Sequence, residues 1–270
     1  MWKKIVTVIA VLLLIAGIGF LLFPTVSNEI GKIKANGAIE TFDAELDGAV
    51  DELEDASGKE PAKSYEEARA RRLIDDEFYP IDSSGNRISD KRAVFKPDLD
   101  RLLVDSKAYN KSLINHQGTV DTSDYESAAL KMGDYGLSNI YGYLSAPTIN
   151  LSLPIYLGAN KEMMSYGAAH MNNTSLPLNE TNTNCAIAGH TGYVGRIFFD
   201  NIRNLKLGDS VSIRNYWETI RYKVIESKAV NDNQTEDVFI KPDRQLLTLI
   251  TCTPLGNGKY GRYIVICEAE

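Results

Sequence analysis

The chain has 270 residues, 44% of them hydrophobic, enough for one domain of ordinary size with an appendage or for two small domains. Its net charge of -7 excludes a duplex nucleic-acid binder, which needs a basic face. The sequence has no CxxC pair, no Cys/His cluster with zinc spacing and no Gly-rich phosphate loop, so no metal and no cofactor is expected.

Met1-Trp2-Lys3-Lys4 precedes an uncharged run over residues 5–23, bounded by Pro24. At 1.5 Å per residue the run spans about 28 Å, close to the ~30 Å hydrocarbon core of a bilayer. A cleaved signal peptide carries a shorter apolar stretch, about 7–15 residues, followed by a small-x-small site. Leu21-Leu22-Phe23-Pro24-Thr25 is a poor site, so residues 5–23 are read as an uncleaved transmembrane anchor. Lys3 and Lys4 predict that residues 1–4 lie in the cytoplasm and that everything beyond Pro24 is extracellular. No second apolar run of that length occurs in the sequence, which predicts a single-pass protein.

Residues 24–96 read as a helical stalk or linker. Ile30, Ile33, Ile39, Phe42, Leu46 and Val50 recur at helical spacing within a polar, acidic stretch, predicting an exposed helix that ends near residue 70, its acids on a solvated face. Residues 77–86 are rich in turn formers. Residues 97–135 read as a helix and the segment after it. Pro97 falls in the helix's first turn, and the helix should run through Tyr109 and end before Gln117-Gly118, with His116 facing solvent near its end.

From residue 136 to 270 the pattern is short strands, predicted at 140–144, 151–156, 184–188, 211–214, 219–230, 246–252 and 263–268. Short helices fit only at 161–166 and 197–202. Many short strands with few helices predict a mainly β fold, closed into a barrel.

Three strand edges carry chemistry. Leu246-Leu247-Thr248-Leu249-Ile250-Thr251 ends on Cys252, and Thr253-Pro254 then predicts a turn into a mobile loop over 253–261. Ala186-Ile187-Ala188-Gly189 ends on His190, and Arg262 opens Tyr263-Ile264-Val265-Ile266-Cys267. A thiol, an imidazole and a guanidinium at strand edges are the parts of a cysteine acyl-transfer site. Three cysteines in an external chain leave one free, and Cys252 is the candidate. Cys185 and Cys267 sit in apolar strands as buried thiols; a disulfide between them stays open, because sequence does not supply their Cα separation.

These residues resemble the sortases, membrane-anchored cysteine transpeptidases. The signature Thr-Leu-x-Thr-Cys is matched by Thr248-Leu249-Ile250-Thr251-Cys252, the histidine segment by Ala188-Gly189-His190-Thr191-Gly192, and the arginine heading the final strand by Arg262. Ser145-Ala146-Pro147-Thr148-Ile149-Asn150-Leu151-Ser152-Leu153-Pro154-Ile155-Tyr156 resembles the family's opening strand pair. The resemblance covers residues 97–270 and implies a closed barrel of about eight strands. It also implies that Cys252 attacks a peptide carbonyl as thiolate, His190 moves the proton, and Arg262 steadies the oxygen. The implied substrates are surface proteins or pilins with a Leu-Pro-x-Thr-Gly-like C-terminal sorting signal, and the acceptor is an amine of a pilin lysine or a cell-wall peptide. Thr251, Thr253 and Leu255 are candidate substrate contacts, and Leu255 and residues 238–240 a candidate apolar floor. Some sortases bind calcium through acidic loops; Asp232, Glu236 and Asp237 here read as solvated carboxylates. His170 lacks the context of the catalytic histidine and reads as structural or rim-lining.

The layout is most similar to the class C, pilin-polymerising branch, through its long helical N-terminal region, residues 143–156, Gly167-Ala168-Ala169-His170 and Cys252-Thr253-Pro254. That branch commonly carries a lid with Asp-Pro-aromatic. Here Thr122-Ser123-Asp124-Tyr125 keeps the acid and the aromatic without the proline, so Asp124 and Tyr125 are candidate lid residues over Cys252. A cysteine hydrolase with water as acceptor and a noncatalytic anchored binding domain are the rival functions; the joint presence of Cys252, His190 and Arg262 speaks against the second.

Overall fold

The structure, a computed structural model, describes residues 2–47, 62, 65–90, 93, 97–114, 125–192, 198–256 and 258–270. Helix α1 (Trp2–Asp47) is long and apolar enough in its first part to cross a membrane, and it is continuous through Pro24. A proline inside a helix forfeits one backbone hydrogen bond and crowds the preceding turn, which is why the sequence predicts a boundary there. Packing holds the segment beyond it. Ala35, Thr41, Phe42 and Glu45 are buried, and the Phe42 ring lies 4.5 Å from that of Tyr216 and 5.8 Å, edge-on, from that of Tyr143. The stalk is therefore exposed at Ile30 and Ile33 but docked on the barrel from Ala35 onward.

Glu45 fastens this docking and is not on a solvated face. Its carboxylate accepts the Ser138 N–H at 2.7 Å and the Ser138 hydroxyl at 3.1 Å. The Tyr216 hydroxyl lies 2.8 Å from both Glu45 Oε2 and the Ile140 carbonyl. The phenol's single hydrogen is shared between these two acceptors. Burial raises the Glu45 carboxyl above its ordinary value, against the hydrogen bonds from Ser138 and Tyr216, which lower it.

Helix α2 (Tyr65–Ala70) opens a small module in which Tyr65, Ala68, Ile74, Phe78 and Ala93 pack together. The Tyr65 hydroxyl donates to the Ala93 carbonyl at 3.0 Å. Helix α3 (Leu99–Leu113) starts after Pro97, which precedes the cap instead of lying in the first turn as expected; Asp98 is the cap, accepting the Arg101 N–H at 3.1 Å. Its Asn110 brackets Leu176, donating to the carbonyl at 3.1 Å and accepting the N–H at 2.7 Å.

The eight strands among the described residues are β1 (Ile140–Ala146), β2 (Leu151–Leu157), β3 (Ala168–His170), β4 (Thr183–Ala188), β5 (Ser210–Asn215), β6 (Thr219–Asn231), β7 (Gln245–Gly256) and β8 (Lys259–Ala269). They close into a barrel in the order β1-β2-β3-β4-β7-β8-β6-β5. The β2–β3 and β4–β7 pairs are parallel and the others antiparallel. Only β3 is missing from the predicted set, since three residues are too few to show a period. β7 is apolar on both faces because both are covered. Leu247 and Leu249 join Cys185, Ile187, Val265 and Cys267 in the main core, while Leu246 and Ile250 join Ala186, Val230, Val238, Ile264 and Ile266 in a second cluster.

Register closes the question of a disulfide. Cys185 pairs with Leu247, and Leu247 with Cys267, so a whole strand separates the two thiols, about 9.6 Å at two strand spacings. That exceeds disulfide reach, and all three cysteines are free. Burial pushes the Cys267 thiol up to about 12 and raises that of Cys185 as well.

A carboxyl whose value is raised on folding stabilises the fold fully below its ordinary value of 4.5, and that contribution is lost as pH climbs through the raised value. Glu45→Gln mimics the protonated form. Its melting temperature should fall less than the parent's as pH rises above 4.5; identical pH slopes in thermal unfolding would contradict a buried, protonatable Glu45.

Candidate active site

Strand register assembles the site. β4 ends at Ala188, opposite Ile250, so from Cys252 onward β7 pairs on one side only, with β8. A strand edge tolerates proline, and Pro254 lies within β7, paired with Tyr260. The predicted mobile loop over 253–261 is thus a β-hairpin continuing both strands. Gly256 and Gly258 take the positive φ values, +93° and +73°, near its tip.

Cys252 faces Arg262 directly across the antiparallel ladder, which places the two Cβ atoms about 4.5–5.5 Å apart on one face. Alternation along β7 puts the exposed Cys252 on the face of Ile250, outside the main core. Val230 of β6 pairs with Arg262, and Val238 and Phe239 pack on the same cluster as Ile250 and Ile264. Apolar ground therefore adjoins the thiol where the sequence suggests a floor at residues 238–240.

His190 arrives from the other side. The Gly189 N–H donates to the Ile250 carbonyl at 3.1 Å, and the Gly189 carbonyl accepts the Thr251 hydroxyl at 2.8 Å. Both bonds carry the β4–β7 pairing one step past the end of β4. His190, the next residue and half-buried, follows on the β4 side of Cys252, while Arg262 lies on the β8 side.

Two residues that the sequence does not single out hold this arrangement. The Phe199 N–H donates to the His190 carbonyl at 2.9 Å, and its ring fills the space beside Gly189, where a Cβ would lie 2.5–2.7 Å from ring atoms. Gly189 precedes the histidine because an aromatic ring takes the place of its side chain. Arg203 donates from Nη2 to the Cys252 carbonyl at 3.1 Å and sets its guanidinium 5.5 Å from the Tyr263 ring centre. It ties the segment behind His190 to the backbone of Cys252. Residue 197 of the expected helix at 197–202 lies outside the described residues, and from 198 onward the helical segment is a 3₁₀ turn at Ile202–Asn204. The aromatic pair Phe198-Phe199 was the available hint that this segment is pinned to the core.

The remaining candidates divide. Thr251 is offered by the sequence as a substrate contact, yet its buried hydroxyl is engaged by Gly189. Thr248 is likewise internal, bonded to Asn184 Oδ1 at 2.9 Å and the Asp237 carbonyl at 3.1 Å, so it pins the chain between β6 and β7. Thr253 is buried, and Leu255, 38% exposed, packs over Gly261. The Asp237 carboxylate pairs with Lys228 at 2.7 Å. His170 is structural: fully buried, its Nε2 lies 3.1 Å from the carbonyls of Thr174 and Ser175, and burial lowers it to about 4, so it is neutral at physiological pH. The Tyr125 carbonyl accepts the N–H groups of Ala159 and Asn172, which fixes it beside the ends of β2 and β3. The register places those ends toward the opposite end of the barrel from Cys252, so Tyr125 does not lie over the thiol as the lid expectation has it. Asp124 and His116 lie outside the described residues.

The family described as Sortase domain matches residues 144–270. Among curated proteins the chain is 27% identical over 127 residues to sortase D of Bacillus subtilis, covering 46% of this chain and 61% of that protein. It is 27% identical over 118 residues to sortase A of Streptococcus agalactiae, covering 42% and 47%; the chain thus spans only about half to three fifths of these curated relatives. Solved structures align over more of their length. Sortase C-1 of Streptococcus pneumoniae is 28% identical with a TM-score of 0.56, covering 64% of this chain and 90% of that one. The pilus-related sortase C of Group B Streptococcus is 31% identical with a TM-score of 0.53, covering 64% and 89%. With this barrel and these matches, the chain belongs to the sortase family.

Gly189→Ala should cost about 1–3 kcal/mol through overlap with Phe199. Thr251→Val should cost about 1–2 kcal/mol by leaving the Gly189 carbonyl without its donor, and Thr251→Ser should restore most of it. Denaturant unfolding measures both; a Thr251→Val protein of parental stability but weakened peptide binding would return Thr251 to substrate contact.

Proposed function

We propose that the chain is a membrane-anchored cysteine transpeptidase that cleaves a Leu-Pro-x-Thr-Gly-like sorting signal and joins the new acyl group to an amine. One observation carries the reading: the register that sets Cys252 opposite Arg262, with His190 following Gly189 on the other side. Cys252 Sγ, as thiolate, adds to the peptide carbonyl, and the oxygen gains the electron pair. The Arg262 guanidinium faces that developing oxyanion, and the Thr253 N–H lies beside the nucleophile for the same task. The C–N bond breaks as His190 gives a proton to the departing amine, leaving a thioester on Cys252. An incoming amine then adds to the thioester and yields its proton to His190; the C–S bond breaks and a new amide forms.

A pilin lysine is the proposed acceptor, supported by the likeness to several sortase C structures, one of them described as pilus-related. The donors would be pilins or surface proteins bearing the signal, met outside the cytoplasm, with α1 crossing the membrane from a cytoplasmic N-terminus.

With a motif peptide and added amines, the purified protein should form a product joined to the amine, with a pilin lysine preferred over a cell-wall peptide amine. Cys252→Ala should give no turnover. Arg262→Ala should lower kcat/KM by about 10²–10³-fold, with Arg262→Lys recovering only part. Peptide cleavage at the same rate with no amine incorporated would make the protein a hydrolase, and turnover by Cys252→Ala would remove both enzyme readings.

A further inference from the structure

The strand directions and the path of α1 together orient the catalytic end of the barrel. Along α1, Glu45 meets Ser138 ahead of β1, Phe42 meets Tyr143 within β1, and Ala35 belongs to the main core, whose members on β1 and β2, the strands α1 chiefly packs on, are Leu144, Ala146, Leu153 and Ile155. Followed backwards toward the apolar run, the helix therefore climbs β1 from its start to its end and reaches the rim where β2 begins. β1 and β2 are antiparallel, β2 and β3 parallel, β3 and β4 antiparallel, β4 and β7 parallel. The start of β2 thus lies at the same end of the barrel as the end of β7, which carries Cys252. The other way round the barrel, through β5, β6 and β8, gives the same end.

We infer that α1 is a fixed strut that turns the Cys252 end of the barrel toward the bilayer and holds it close to the lipid surface. This rests on the anchoring proposed above. From Phe23, the last residue of the apolar run, to Ala35 is twelve helical steps, about 18 Å. The headgroup layer occupies roughly 5–7 Å of that. The β7–β8 hairpin extends four residues past Cys252, about 13 Å, and carries exposed Lys259 and Tyr260, the latter 68% exposed. A basic residue and a tyrosine at such a tip suit the headgroup zone, where both are favoured. The strut keeps its length and direction because α1 is unbroken from Trp2 to Asp47 and its far end is fastened by Phe42 and Glu45. The site is thereby presented to peptide segments lying within a few residues of the membrane.

The native thiols supply the probe, since Cys252 is exposed while Cys185 and Cys267 are buried. The full-length protein, labelled with a donor dye at Cys252, is placed in vesicles of phosphatidylcholine and phosphatidylglycerol carrying a headgroup acceptor dye. A second sample carries the dye at Thr181→Cys in a Cys252→Ala background; Thr181 is exposed in the turn before β4, at the opposite end. Energy transfer should be greater from Cys252 than from Thr181. Seven helix-forming residues inserted after Ser27, two turns that preserve the docking face, should lower transfer from Cys252. Protein that floats with vesicles yet shows equal or greater transfer from Thr181, or no loss on insertion, overturns the orientation while leaving anchoring intact. Protein that does not float with vesicles overturns both.

Discussion

β7 is the constraint on which the rest of the structure depends. It is held between a parallel neighbour, β4, and an antiparallel one, β8; β8 sets Arg262 opposite Cys252, and the chain leaving β4 leads to His190. The antiparallel ladder fixes Arg262 opposite Cys252 with no freedom of register, because a one-residue slip would turn every side chain of the strand to the other face. The main core on one face and the Ile250–Ile264 cluster on the other make such a slip costly. The thiol is exposed because β4 stops two residues before it, so a strand buried along its first seven residues becomes an edge at Cys252. Rigidity and access thus come from one strand.

Side chains behind the site extend this logic. Gly189, Phe199, Thr251 and Arg203 form a ring of backbone-directed contacts around His190 and Cys252. None needs to touch substrate to matter. Each fixes a main-chain atom of a neighbour, which is how a site on strand ends is kept within the small tolerance that catalysis demands. At the other end of the barrel, Glu45 joins α1 to Ser138 and Tyr216, so the C-terminal end of the helix that carries the apolar run is part of the folded domain.

Much of this was legible in the sequence, for identifiable reasons. Strands with a buried face announce themselves by apolar runs, and all except β3 could be read; Ala168–His170 is too short to carry a period. The thiol, imidazole and guanidinium were readable because each closes or opens such a run. Pro254 misled, since it marks a turn in most contexts but here sits on a strand with one free edge. Pro24 misled in the same way, because the packing of Phe42 and Glu45 that keeps the helix going lies far along the chain. Arg203 and Phe199 act through main-chain atoms of residues distant in sequence, and Glu45 looks like any acid of a solvated face until Tyr216 and Ser138 are brought to it. Local pattern reports what a residue is; contact order decides what it does.

The most direct measurement is the intact mass of the protein after brief mixing with a Leu-Pro-x-Thr-Gly-type peptide, with the adduct mapped by proteolysis and tandem mass spectrometry. The expected result is an acyl fragment ending in the threonine carbonyl, attached to Cys252 and released as a new amide when an amine is added. An adduct on Cys185 or Cys267, or amide formation with Cys252 never acylated, would contradict the assignment of the thiol at the end of the β4–β7 pairing as the nucleophile.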